Sequence, residues 1–190
     1  LFNRLSRKVK SMVFDFDGVT RDYVSTSVTW NKKSFELIDT GGLLVNPEKE
    51  DFLSGEVYKL TQDLVEAADV ILFVCDGKLG VSLKDKEIAE FLHKSGKNVI
   101  LAANKSDSSN EFDQNFYQFH SLGFKKIFPI SSVHNDGIME LMDEVALGVK
   151  SEKTYEEKAS CRVAILGKPN VGKSSLLNRI LPNRLSLMRT

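Results

Sequence analysis

Residues 167–174 read GKPNVGKS: a glycine, four intervening residues, then glycine, lysine and serine. That spacing suits a phosphate group. Glycines let successive backbone N–H groups converge on phosphate oxygens, and the dipole of a following helix adds to the hold. Lys173 is then placed to reach the outer phosphates and the Ser174 hydroxyl to ligate magnesium, with Gly167, Asn170, Val171, Gly172 and Ser175 completing the cradle. Such a loop needs a strand before it and a helix after it. Val163-Ala164-Ile165-Leu166 and the helix-like run Ser175 to Ile180 carry those patterns.

Two further stretches supply what a phosphate loop lacks. Asp39-Thr40-Gly41-Gly42 ends the apolar run Phe35 to Ile38. A carboxylate at the carboxyl end of a strand can hold magnesium through water, and Gly42 offers an N–H that can approach a terminal phosphate closely. Asn104-Lys105-Ser106-Asp107 follows the run Val99 to Ala102. In this pattern Asp107 accepts hydrogen bonds from N1–H and the exocyclic amine of guanine. Adenine lacks that donor pair and would leave a buried carboxylate unpaired. Ser131 and Ser132 end the next strand, where backbone N–H groups can contact the base oxygen. Together these residues predict a site for GTP or GDP with Mg2+.

The stretch Val13 to Asp22, VFDFDGVTRD, admits two readings. Asp15 and Asp17 after an apolar strand fit the DxDG signature of haloacid-dehalogenase-type phosphatases. Alternatively, Gly18 to Asp22 is a nucleotide-sensing loop, and the aspartates before it are incidental. The phosphatase chemistry needs an adjacent acidic pair at later strand ends, and Asp39, Asp76 and Asp107 supply none. The nucleotide reading absorbs Thr20, Asp39, Gly42, Asn104, Lys105, Asp107, Ser131 and the loop at 167 together.

Strand-like and helix-like runs alternate along the chain. Ser27 to Trp30 pairs with Ser34 to Ile38 through Asn31-Lys32-Lys33, followed by helical spacing over Glu50 to Ala67, a strand Val70 to Cys75 and a helix Leu83 to Lys94. A strand Asn98 to Ala102, a helix over Phe112 to Leu122, a strand Lys126 to Ile130 and a helix Ile138 to Gly148 complete the pattern. The fold class expected is α/β: a P-loop NTPase-type G domain, a mostly parallel sheet with helices on both faces. Residues 150–160, rich in Lys, Glu, Ser and Thr, read as a linker. The division expected is therefore residues 1–149 as a first G domain lacking its phosphate loop, and residues 161–190 as the start of a second. Leu1-Phe2-Asn3-Arg4-Leu5 resembles Leu176-Leu177-Asn178-Arg179-Ile180, and the chain opens on leucine, so it reads as a piece of a longer protein. A strand at 162–167 could instead fill the vacant place in the first sheet.

The bulk composition narrows partners. Twenty-six acidic residues balance twenty-six basic ones, so no overall field points to DNA or an anionic membrane. Apolar runs of about six residues fall short of the roughly 20 a spanning helix needs. Cys75 and Cys161 suit a reducing cytosol better than a disulfide framework, which predicts a cytoplasmic protein. His93, His120 and His134 have no metal-ligand spacing and read as structural. Arg4, Arg7, Lys8 and Lys10 read as a solvated helix face rather than an RNA contact.

The motifs GVTRD, IDTGG, ANKSD, SSVHNDG and GKPNVGKSSLLNR resemble the tandem-GTPase family called Der or EngA. The resemblance covers nearly the whole chain. It implies a GTP-hydrolysing conformational switch, with two consecutive G domains, that assists assembly of the large ribosomal subunit. Two departures stand out: Asp17 takes the place of a usual proline before GVTRD, and Ser132 that of a usual alanine. The position after DTGG, where Ras-like enzymes carry a water-orienting glutamine, is Leu43. Relatives with an apolar residue there use potassium held partly by the phosphate-loop asparagine, here Asn170. Slow, potassium-stimulated hydrolysis is the expectation. The alternative from another class is a catalytically deficient fragment or scaffold that binds a partner without turnover.

Overall fold

The computed structural model describes residues 24–40, 55–106, 115–149 and 161–180. Strand β1 (Val24–Trp30) and strand β2 (Lys33–Asp39) form an antiparallel hairpin. Its two-residue turn, Asn31-Lys32, has φ values of 47° and 64°, the left-handed pair that matches the right-handed twist of such a hairpin. The expected connection was one residue longer; Lys33 pairs with Trp30 instead. Helix α1 (Gly55–Ala67) leads to β3 (Val70–Asp76), α2 (Leu83–Ser95), β4 (Asn98–Asn104), a 3₁₀ helix at Tyr117–Leu122, β5 (Ile127–Ile130), α3 (Ile138–Gly148), β6 (Arg162–Leu166) and α4 (Lys173–Ile180).

The sheet has six strands in the order β1-β2-β6-β3-β4-β5, parallel except for the edge strand β1. β6, late in the chain, therefore lies between β2 and β3, with Ile165 opposite both Asp39 and Leu72. Alternation along the central strands sorts their side chains onto two faces. Val70, Leu72, Val74, Ile100, Ala102, Val163 and Ile165 pack with Leu141, Met142 and Val145 of α3 and Leu176, Leu177 and Ile180 of α4. Ile71, Phe73, Cys75, Leu101, Ala103, Ala164 and Leu166 pack with Val65 of α1, Ile88 and Leu92 of α2, and Phe119 of the 3₁₀ helix. This is the α/β architecture with helices on both faces that the alternating sequence pattern implies.

One element departs from its expected form. The run read as helical over Phe112 to Leu122 is described from Asn115, and its stretch Tyr117–Leu122 is 3₁₀ rather than α-helical, with Phe119 and Leu122 buried three residues apart and Gly123 closing it at φ 78°. A three-residue period suffices to bury two apolar side chains over so short a span.

Because β6 is central, its core contacts belong to the same cooperative unit as the rest of the sheet. Ile165→Ala, at a fully buried position, should cost about 2–5 kcal/mol in one urea transition shared by far-UV and tryptophan probes. A strand outside the sheet would leave that transition unmoved.

Candidate functional site

Parallel strands present their carboxyl ends together, and here those ends carry Asp39 (β2), Asp76 (β3), Asn104 (β4), Ile130-Ser131 (β5) and Gly167 (after β6). Asp39, Asp76, Asn104 and Ser131 are all buried. A crevice at this edge is where open α/β sheets hold ligands.

The phosphate loop is built by backbone that only small residues allow. Gly167 has φ 151°, and a Cβ there would lie 2.1 Å from the Val74 carbonyl oxygen, so the loop begins pressed against β3. Gly172 has φ 94°, and its Cβ would meet Asn104 Nδ2 at 2.2 Å. Asn170 adopts φ 64° and is exposed. α4 starts at Lys173, so the helix amino terminus lies at the loop as anion binding requires. Lys173, only 6% exposed, donates through Nζ to the carbonyls of Gly167 at 2.7 Å and Lys168 at 2.8 Å. Burial lowers its pKa below the ordinary lysine value, while the negative charge of Asp39 opposes that shift.

Asn104 joins the loop to the opposite wall. Its Nδ2 donates to the Val171 carbonyl at 2.8 Å, and its Oδ1 accepts from the Ser132 backbone N–H at 3.0 Å and the Ser132 hydroxyl at 2.9 Å. Beside it, Lys105 takes φ 70° and pairs through Nζ with Asp76 Oδ2 at 2.6 Å. A cleft of about 160 Å³ opens between these walls, lined by Lys78, Lys105, Ser131, Ser132, Gly172 and Ser175 among others. Thr40 Oγ1 donates to the Ile165 carbonyl at 2.7 Å, stitching the residue after β2 to β6.

Of the residues expected from sequence, the structure thus brings Asp39, Asn104, Lys105, Ser131, Ser132 and the loop Gly167 to Ser175 to one edge of one sheet. Thr20, Gly42 and Asp107, with Asp15, Asp17 and Leu43, lie outside the described residues. Sequence reasoning missed a second set. Lys168 Nζ reaches Ser82 Oγ at 3.0 Å and Asp85 Oδ2 at 3.2 Å. Asp85 is fully buried and closes a capping box with Ser82 at the start of α2. The S-x-x-D spacing was readable; its tie to a lysine 83 residues away was not. Cys75 lies close by, and burial first, then the Asp85 carboxylate, push its thiol well above the usual range, so it stays protonated. His93 stacks on Phe124 and bonds the Leu122 carbonyl, a structural role. Among the described residues no cluster of three His, Cys, Asp or Glu side chains could hold a metal unaided.

Glycine-imposed amides, a buried lysine and a helix amino terminus face an asparagine-braced cleft, an arrangement chemically able to hold a phosphate group. A sequence profile described as "50S ribosome-binding GTPase" matches residues 1–105 and 162–189, more than half of the chain. The chain belongs to that family. GTPase Der of Aquifex aeolicus is 46% identical over 95% of this chain, and GTPase Der of Acetivibrio thermocellus 44% over the same share. The chain spans 41% of the length of each. Among solved structures, an Era variant from Aquifex aeolicus bound to GDP and aluminium fluoride superposes with a TM-score of 0.58 at 25% identity, covering 71% of this chain and 47% of that one. These matches bear out the Der-type resemblance and the P-loop G-domain fold read from the residues.

The depressed Lys173 pKa has a signed consequence. Phosphate oxygens beside Nζ would raise that pKa again, so binding a nucleotide takes up a proton wherever the free lysine is partly neutral. Affinity for a phosphate ligand at this loop would therefore be full below the free-state pKa and decline as pH rises through it. Calorimetry in buffers of different ionisation enthalpy should detect the uptake at alkaline pH, and Lys173→Met should abolish it. For folding alone the sign reverses, since the unfolded chain binds the extra proton and this group adds stability as pH rises.

Proposed function

We propose that this chain binds guanine nucleotide with Mg2+ in the crevice between the phosphate loop 167–175 and the wall formed by Asn104, Lys105, Ser131 and Ser132, and that the protein it represents hydrolyses GTP as a conformational switch. The observation that carries this is the Asn104 bridge, which holds a phosphate cradle and a base-sized cleft at a fixed separation. Loop amides and Lys173 would bind the outer phosphates. Asp107 would read the guanine edge, and the backbone N–H groups near Ser131 and Ser132 would meet the base oxygen. Ser174 and Thr20 would hold magnesium directly and Asp39 through water. The ion would neutralise the polyphosphate.

Thr20 and the Gly42 N–H would close on the γ-phosphate, so that loss of the phosphate releases them. With leucine at 43, positive charge near the attacking water would come from potassium held partly by Asn170, giving slow, potassium-stimulated turnover. The two matched segments support reading residues 1–149 and 161–190 as portions of consecutive G domains joined by 150–160, the strand and phosphate loop of the second portion then completing the sheet and site of the first. A place in assembly of the large ribosomal subunit, in the cytoplasm, belongs to the same reading, and the family description "50S ribosome-binding GTPase" supports its ribosomal part. Among the described residues no helix is long and apolar enough to cross a membrane.

Calorimetry with GDP and ADP tests the reading. Micromolar to millimolar affinity for GDP with none for ADP is expected; equal affinities, or none for either, would overturn it. Phosphate release in potassium against sodium then separates a turning-over switch from a scaffold that only binds.

A further inference from the structure

The second residue of a GxxxxGKS loop is unconstrained by the motif, yet here it carries the only cation within salt-bridge distance of Asp85 among the described residues. From the geometry we infer that Lys168 is a positioning residue: its side chain anchors the phosphate loop to the start of α2 and thereby sets where the Lys173 ammonium stands. This rests on the nucleotide reading above and assigns a role to residues that reading leaves unused.

The chain of contacts is short. Lys168 Nζ donates to Ser82 Oγ at 3.0 Å and to Asp85 Oδ2 at 3.2 Å, with the lysine side chain 15% exposed and the carboxylate not at all. The acceptors are themselves fixed, because Asp85 Oδ2 takes the Ser82 N–H at 2.8 Å and the Ser82 hydroxyl at 2.6 Å, while Ser82 Oγ takes the Asp85 N–H at 3.2 Å. At its other end the same residue presents its carbonyl to Lys173 Nζ at 2.8 Å. One residue therefore grips α2 with its side chain and the phosphate-reaching lysine with its backbone. A buried ion pair is poor value as a source of stability, since desolvating both charges offsets most of their attraction. What it supplies is a fixed geometry. A lysine head group misplaced by a fraction of an ångström loses much of its hold on an outer phosphate while base recognition is untouched.

The test compares GDP with GMP, which lacks the β-phosphate. Lys168→Met should weaken GDP about tenfold and leave GMP within about twofold. Lys168→Arg should restore GDP, Asp85→Asn should reproduce the loss, and Lys168→Met with Asp85→Asn should do no worse than either alone. Equal losses for GDP and GMP, or no loss of GDP, would overturn the assignment. Should Lys168→Met fail to fold, Lys168→Gln keeps a donor toward Ser82 Oγ and carries the same comparison. Hydrogen exchange of the amides of residues 168 and 170–173 without nucleotide gives a second, independent reading. Exchange should quicken about tenfold in Lys168→Met and recover in Lys168→Arg, and unchanged rates contradict the anchor. If the unaltered chain binds no guanine nucleotide, the nucleotide reading fails and the exchange rates alone decide the anchor.

Discussion

Replacing Asn104 with alanine is expected to lower GDP affinity about 100-fold and folding stability by about 2–4 kcal/mol. The side chain is 2% exposed and makes three hydrogen bonds to two separate segments, the Val171 carbonyl on one side and the Ser132 N–H and hydroxyl on the other. Truncation strands those groups in a buried setting, where each unmet donor or acceptor costs about 1–3 kcal/mol. It also uncouples the phosphate loop from the base wall, so a nucleotide must reassemble the separation that the folded chain now provides. Asn104→Asp makes a sharper control. It keeps an acceptor toward Ser132 but turns a carboxylate oxygen toward the Val171 carbonyl, so it should bind GDP nearly as poorly as alanine. Calorimetry and urea unfolding read both effects. Affinity within about threefold of the unaltered chain would mean that the bridge does not organise the site.

Gly172→Ala should be comparably damaging, for steric rather than polar reasons. At φ 94° an added Cβ would meet Asn104 Nδ2 at 2.2 Å, so the methyl group strains the backbone and displaces the bridge at once. A loss of about 100-fold or more in GDP affinity is expected, with about 2–4 kcal/mol of stability. Gly96→Ala isolates the backbone contribution. That glycine caps α2 at φ 65° with nothing within 4 Å of an added Cβ, so its substitution should cost about 1 kcal/mol and leave GDP binding alone.

What the residues revealed in advance, and what they did not, follows from the range of each interaction. The phosphate loop was readable because its demands are local: glycines where the backbone leaves ordinary regions, then lysine and serine at a helix start. Val70 to Cys75 was readable as a buried strand because a central parallel strand is covered on both faces and shows unbroken apolar character. Asp39 and Asn104 were placed just beyond or at strand ends, and both prove to be the last residue of their strand. The helical character of Tyr117–Leu122 was readable but its 3₁₀ form was not, because over so few residues its apolar spacing is also that of an α-helix.

The place of β6 was legible only as an alternative to the start of a second domain, and it is that alternative, a strand filling the vacant place in the first sheet, that the structure shows. No local signal decides that Ile165 lies between Asp39 and Leu72, since the pairing joins residues more than 90 positions apart and depends on which strand edges remain uncovered. The same limit hid the double duty of Asn104, which the NKxD pattern marks only as a nucleotide contact. It also hid Lys168 with Asp85, where each partner alone resembles an ordinary surface charge.

The central claim is that one chain places a phosphate cradle and a guanine wall in a single site, and an amide-resolved NMR titration with GDP tests it most directly. Resonances of Gly167 to Ser175 and of Ser131 to Val133 should shift along one shared isotherm, at a midpoint independent of protein concentration, and ADP should move neither set in the same range. Two sets that saturate at different concentrations, or a loop that responds while residues 131–133 stay still, would contradict it.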